Sequence, residues 1–471
     1  MKKMLLAILF VIGATVVWAI QPTSYRIKAM GENLQGIVED EYTDMIANPA
    51  RVSEINKNKL YGTPPRSLPA SLSLFTNSNW GFITELNKSA SGNSSFSTNR
   101  YYSSAYWQIN DYIYQSEYES EQFNIGIFKS IPLKYYSIGF AFIPERNMSV
   151  NNYFNESNYE YRKIQSDEVI YNSNSSGQGI DKTESINSKI VIGYNQKIEK
   201  SSIKDIVINL NMQKNKVLTL RDDYSSQNND PDNNGKNYYD NSITTPSYSN
   251  SFTETKSDQD PEFMLGIGIE YRIKKIEDDK ASKGVIIGLS WQPSEINQVD
   301  TKANQYYSVS GVNITSSTYI YSSTITGNSN LYKTYIAWGR SIKLQDSKFL
   351  LAYALRSELS FNEIQKDDTS SISYSESVSR EYTGSLGLTS GVEYNLFSNL
   401  ALRTGVTVSF TGSVKDENIT QYKIQSKRFN QSTIFATGFG YKPFDYLSLD
   451  IYTTGNILSI YDLQLQAKYM F

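Results

Sequence analysis

From Phe263 to Ile273 the chain places Phe263, Leu265, Ile267, Ile269, Tyr271 and Ile273 on one parity, with Met264, Gly266, Gly268, Glu270 and Arg272 on the other. A β-strand sends alternate side chains to opposite faces, so this stretch has one apolar face and one polar face. The alternation recurs in Val285, Ile287, Leu289 and Trp291. It returns in Leu351, Tyr353, Leu355, Leu359 and Phe361 opposite Arg356 and Glu358, and in Leu400, Leu402, Val406, Val408 and Phe410 opposite Arg403. Lys and Arg stay off the apolar parity in these segments. A Lys or Arg facing lipid at mid-depth costs about 2–4 kcal/mol, so this exclusion is what a membrane-spanning sheet requires. None of these segments is long or apolar enough for a transmembrane helix.

Composition agrees with that sheet and limits its chemistry. Apolar residues make up 39% of the 471 and charged residues 20%, while Tyr alone numbers 37. A disordered chain would be poor in aromatic and β-branched residues, so the low hydropathy points instead to an all-β protein with long polar connections. There is no Cys and no His. Disulfides, thiol nucleophiles, Cys or His metal sites and proton transfer through imidazole are thereby excluded. The expectation is a protein that binds or passes molecules, without enzymatic activity or a cofactor.

Both ends of the chain place it at a membrane. Met1-Lys2-Lys3 precedes an apolar run from Met4 to Trp18, and Val17-Trp18-Ala19 offers small residues for cleavage, so residues 1–19 read as a secretory signal peptide. After its removal 43 basic and 48 acidic residues remain, and no basic patch suggests nucleic acid. At the other end Leu463, Leu465, Ala467, Tyr469 and Phe471 share one parity opposite Asp462, Gln464, Gln466 and Lys468. This closing strand resembles that of bacterial outer-membrane β-barrels. The resemblance implies that Leu465, Ala467, Tyr469 and Phe471 form the signal read by the barrel-assembly machinery, with export through the inner membrane and outer-membrane lipids as surroundings.

Connectors between the strand segments alternate short and long, as periplasmic turns and outer loops do. Counting from about Ser71 gives a transmembrane antiparallel up-and-down β-barrel of about 14 strands over residues 70–471. The segment near 71–88 and the long stretch Asn147 to Ser185 leave 12 or 16 open. Trp80, Trp291, Trp338, Tyr271, Tyr441 and Tyr469 fall near strand ends, where an interfacial girdle belongs.

Residues 20–69 do not read as membrane β. They contain Glu39-Asp40 and Asn48-Pro49-Ala50-Arg51. This stretch resembles the amino-terminal plug of FadL-type outer-membrane transporters of fatty acids and aromatic hydrocarbons. In that family an acidic pair leads into Asn-Pro-Ala-Gly; here Asn48, Pro49 and Ala50 match and Arg51 replaces the Gly. The resemblance implies a plug inside the barrel, a hydrophobic small-molecule ligand and a lateral opening in the third strand, where Pro144 removes a ladder donor. Read from the residues alone, Asn48 before Pro49 caps a turn or starts a short helix.

Two further features remain. Asp230, Asp232 and Asn234, followed by Gly235, fit the first half of a calcium loop, although Asn241 stands where a bidentate Glu belongs. Inward-facing Glu270, Arg272, Arg356, Glu358 and Arg403 suit a water-filled lumen. A hydrophobic transporter, a porin-like channel for small polar solutes and a structural or surface-antigen barrel with long outer loops therefore stand as alternatives.

Overall fold

A bilayer core offers no hydrogen bonds to the backbone, so a sheet that crosses it must close on itself. In a computed structural model of the chain it does. The structure describes residues 24–471 except 64–69, 103–105, 164–168, 199–201, 229–246, 278–279, 311–312, 345–347, 371–373, 420–421 and 455–462. The strands are β1 (Lys59–Thr63), β2 (Ala70–Phe75), β3 (Trp80–Tyr102), β4 (Tyr106–Pro132), β5 (Tyr136–Lys163), β6 (Val169–Ile198), β7 (Ser202–Asn228), β8 (Ser247–Gln259), β9 (Met264–Ile276), β10 (Ala281–Ser310), β11 (Asn313–Leu344), β12 (Phe349–Ser370), β13 (Tyr374–Phe397), β14 (Leu400–Ile419), β15 (Tyr422–Phe444), β16 (Leu447–Thr453) and β17 (Gln464–Met470). Each pairs antiparallel with the next except β8 with β9, and β1 closes the ring against β17 and β2.

β8 and β9 share one position, because β7 and β10 each pair with both: β8 along their outer halves and β9 along their inner halves. Asp260 to Phe263 interrupt this stave. Opposite them β7 spends one residue fewer, from Lys214 to Lys216, so the break is a bulge that shifts the register by one. Lys214 and Lys216 both reach Asp260, at 2.7 and 3.3 Å.

The closed barrel therefore has 16 strands, not the 14 expected. Both extra strands lie at the start. The segment read as one strand near 71–88 turns back at Thr76 to Asn79, where Asn79 adopts φ 66 and its N–H bonds to the Thr76 carbonyl. β1 lies within residues 20–69, the stretch read as plug. Its five residues are buried throughout, so it shows none of the alternation that identified other strands.

The polar stretches read as outer loops are mostly strand. Asn147 to Lys163 and Val169 to Ser185, for example, form the paired outer halves of β5 and β6. Asn, Ser and Thr on both parities hide a strand from periodicity, yet their backbones still pair. The lower strand halves follow the expected parity: Leu265, Ile267 and Ile269 are exposed outward, while Gly266 and Gly268 are buried inward.

The plug occupies the lumen at the end carrying the short turns. It consists of α1 (Tyr25–Met30), a 3-10 turn Glu32–Leu34, α2 (Glu41–Ala47) and a 3-10 turn Pro49–Glu54. Ser24 caps α1 by accepting from the Ile27 N–H, and Asp40 caps α2 by accepting from the Thr43 N–H. Plug residues Tyr42, Met45, Val52 and Ile55 join Phe75, Ile83, Phe128, Ala141, Val191 and Val207 of the wall in one apolar cluster. Ile27, Met30, Leu34, Ile37 and Val38 form a second with Leu350, Ala352 and Ala354 of β12.

The two faces make opposite demands on a charge. Ile287→Lys, on the lipid-facing parity, should lower barrel stability by about 2–4 kcal/mol in urea titrations with lipid vesicles, whereas Asn209→Lys on the lumen parity should change it by less than about 0.5 kcal/mol.

Candidate functional site

Plug and wall meet first through backbone. Gly139 of β5 and Gly193 of β6 are cross-strand partners, and they form a seat for Asn48, Pro49 and Ala50. A Cβ on Gly139 would overlap the Pro49–Ala50 peptide, and one on Gly193 would overlap the Asn48 side chain. On the opposite wall the paired Gly391 and Gly405, of β13 and β14, receive the Met30 carbonyl in the same way. Wall glycines are thus placed where the plug chain touches down.

Around the first seat runs a buried polar latch. Asn48, fully buried, accepts the Ala50 N–H at 3.0 Å through Oδ1 and donates from Nδ2 to the Tyr194 carbonyl at 3.1 Å and to Asp205 at 2.9 Å. Asn195 donates to the same Asp205 oxygen at 2.7 Å, while Arg51 donates to the other at 2.6 and 3.1 Å. The Ala50 carbonyl accepts from Ser130 and Ser137 at 2.9 and 3.0 Å. Asn48, Pro49 and Ala50 are therefore where the plug is fastened, and Arg51 supplies the cation that neutralises Asp205.

A second latch holds the other flank. Arg26 donates to both oxygens of Glu393, at 2.8 and 3.1 Å, and Arg403 joins Glu393 to Asp450. Tyr25 donates its N–H to Gln466 at 3.1 Å. Glu41 meets Lys59 of β1 and Lys468 of β17. Between these groups and β13 to β17 lies a polar cavity of about 450 Å³.

Higher in the lumen, Arg272 pairs with Glu270, Tyr335 donates across Gly288 to Glu270, and Arg356 stacks on the Tyr335 ring at 4.5 Å while pairing with Glu358 at 3.3 Å. These four charges neutralise one another along the wall. The wall residues Asp205, Glu393, Gln466 and Tyr335 were not singled out from sequence. Asp205 did carry a signal, because it lies on the polar parity just before Ile206, Ile208 and Leu210.

Beside the first latch the wall has a seam. β4 and β5 pair from Tyr106↔Lys163 to Pro132↔Ser137, but pairing lapses where Ile125 and Gly126 face Pro144 and Ile143. Pro144 lies inside β5, which runs on to Lys163, and it pairs with Ser188 of β6 on its other side. Proline brings no N–H to a ladder, which fits the lapse on one side. On the lumen side the seam meets Ile83, Phe128 and Ile143; on the outer side Phe123, Ile125, Phe140 and Phe142 are exposed.

Leu465, Ala467 and Tyr469 lie on the outward parity of β17, opposite buried Gln466, and Phe471 donates its N–H to the Asn58 carbonyl at 3.0 Å. Asp230, Asp232 and Asn234 lie outside the described residues.

No protein-family model matches the sequence, and no curated protein is similar to it. Among solved structures, the chain is similar to the Pseudomonas putida toluene transporter TodX, with 10% identity, 97% of this chain and 98% of that one covered, and a TM-score of 0.38. Similarity to the Ralstonia pickettii toluene transporter TbuX reaches 9% identity over 96% and 97% of the chains, with a TM-score of 0.36. For the FrpB iron transporter of Neisseria meningitidis the figures are 7%, 90%, 84% and 0.23.

Removing one partner of the buried latch should strand the other. Arg51→Ala should weaken plug docking by about 3–5 kcal/mol, seen as faster hydrogen exchange of the α2 amides in an otherwise folded barrel, and adding Asp205→Ala should recover much of that loss. Docking should also depend on pH. Burial pushes the Asp44 carboxyl up to about 6, against the opposing pull of Arg51 at 3.6 Å. A raised carboxyl value favours the docked state most below the exposed value near 4, and that gain disappears as pH rises through about 6. Hydrogen exchange of α2 should therefore be slower at pH 5 than at pH 7.5 after correction for intrinsic rates, and Asp44→Asn should remove the difference.

Proposed function

We propose that the chain is an outer-membrane transporter for hydrophobic small molecules, in which solute enters the lumen from outside and leaves sideways into the lipid through the seam between β4 and β5. The seam carries this reading. It is a two-residue lapse in the β4–β5 ladder with apolar side chains on both of its faces, whereas the wider interruption between β10 and the β8/β9 stave carries Asp260 with Lys214 and Lys216. The plug supports a sideways exit, because one buried and one half-buried latch and two glycine seats hold it across the lower lumen. Amino-terminal signal, barrel lipids and assembly machinery complete the proposed route to the membrane. The lack of His and Cys fits passage without chemical change.

A second reading, passage of small polar solutes past the plug, draws on the polar cavity between α1, α2 and the β13 to β17 wall. In planar bilayers the hydrophobic route predicts no large, steady conductance, and the polar route predicts one.

The chain has no native Cys, so a disulfide can be added without competitors. A Cβ on Gly126 would sit 3.5 Å from the Ile143 side chain, which makes Gly126→Cys with Ile143→Cys a suitable pair for closing the seam. Oxidation should reduce uptake of a monoaromatic hydrocarbon by cells at least about tenfold, and reduction should restore it. Unchanged uptake with the disulfide formed would sink the lateral route.

A further inference from the structure

β10 has 30 residues and pairs with β11 without a break from Ala281↔Ile342 to Ser310↔Asn313. At about 3.4 Å per residue and a tilt near 40°, such a hairpin stands roughly 80 Å tall, whereas the apolar band of a barrel is only about 25 Å. Its outward face changes character part of the way up. Val285, Ile287, Leu289 and, opposite them, Ile336 and Trp338 are apolar; Trp291 and Tyr332 are cross-strand partners at the upper rim, where girdle aromatics belong. Above them the outward positions of this hairpin hold Asn297, Thr301, Gln305, Thr318, Thr326 and Asn328, neutral donors and acceptors, together with apolar Val299 and Ile320 and one charge, Glu295, whereas the outward rows of other tall strands carry ion pairs such as Arg146–Glu184 and Arg380–Glu363.

The neighbours are as long. β4, β5, β6 and β7 have 27, 28, 30 and 27 residues, and β8 fills the outer stave between β7 and β10. Among the described residues the tall wall runs from β3 round to β15, while β16, β17, β1 and β2 have between five and seven residues each. Cross-strand hydrogen bonds bind the tall staves to one another, so this is a stiff wall in which Asn- and Ser-rich sequence is fixed at known heights.

We infer that the β10–β11 hairpin stands within the saccharide layer of the outer leaflet's glycolipids, carries its tip above that layer, and presents its outward amides and hydroxyls to neutral sugar chains. The inference rests on the outer-membrane reading. Neutral amide and hydroxyl side chains both donate to and accept from sugar hydroxyls, and they neither require counter-charges nor repel an uncharged polymer. Thr318 lies 14 residues above Tyr332 along β11, and Asn328 only four. In height that places Thr318 roughly 35 Å and Asn328 roughly 10 Å above the aromatic rim.

Single cysteines in this Cys-free chain measure those heights directly. Thr318→Cys and Asn328→Cys are each treated, in intact cells, with a biotin maleimide that does not cross membranes and then with streptavidin, in strains with full-length and with truncated glycolipid sugars. Thr318→Cys should bind streptavidin equally in both strains, whereas Asn328→Cys should bind at least about tenfold less where the sugars are full-length. Equal shielding of both sites by full-length sugars, or shielding of neither, would overturn the proposed height. Failure to label either site in the truncated strain, with the folded barrel present in the membrane fraction, would instead refute the assigned orientation. Because no transport is read, the result is independent of the solute and of the seam.

Discussion

The most demanding constraint on this molecule is that every backbone donor and acceptor at membrane depth must be satisfied within the protein. Closure of the ring meets it, and closure passes through β1, five residues joining the first and last parts of the sheet. β1 follows the plug after only a few residues, so the strand that closes the wall also tethers what fills it. Glu41 extends this connection by reaching Lys59 in β1 and Lys468 in β17 from the plug side.

Polar groups placed inside such a wall need partners. Asp205 is nearly inaccessible, and an isolated carboxylate there would be very costly. Asn48, Asn195 and Arg51 surround it, and the contacts from Asn48 and Arg51 also orient the turn that begins at Pro49. Fastening the plug and compensating the wall are therefore one arrangement. On the far flank Glu393 plays the corresponding part between Arg26 and Arg403. The glycine pairs let both arrangements form at hydrogen-bonding distance, since a side chain on any of them would hold the plug off.

The barrel class was legible in sequence because lipid contact imposes a strict parity, as in Phe263 to Ile273. Strand number was less so. β1 is too short and too uniformly buried to show parity, and the turn at Asn79 divides a segment that alternates on both sides of it. The tall outer halves were hidden for a different reason: where water lies outside and a polar lumen inside, nothing selects apolar residues for either face. At the plug, Asn48 to Ala50 stood out by motif. Asp205, the partner of Asn48 and Arg51, and Glu393, the partner of Arg26, are single acids on a lumen parity, and only the fold brings them within reach. Pro144 was visible as a break in pattern, but the lapse it borders depends on Ile125 and Gly126, which lie in another strand.

The position of α1 bears on the order of assembly. α1 is near the start of the chain, yet its seat is built from β13 to β17, the strands synthesised last. No complete seat exists while the sheet is still open at its carboxyl-terminal side. The binding surface of α1 is therefore complete only in the closed ring, so sealing of the wall and docking of the plug at its lower end stabilise one another.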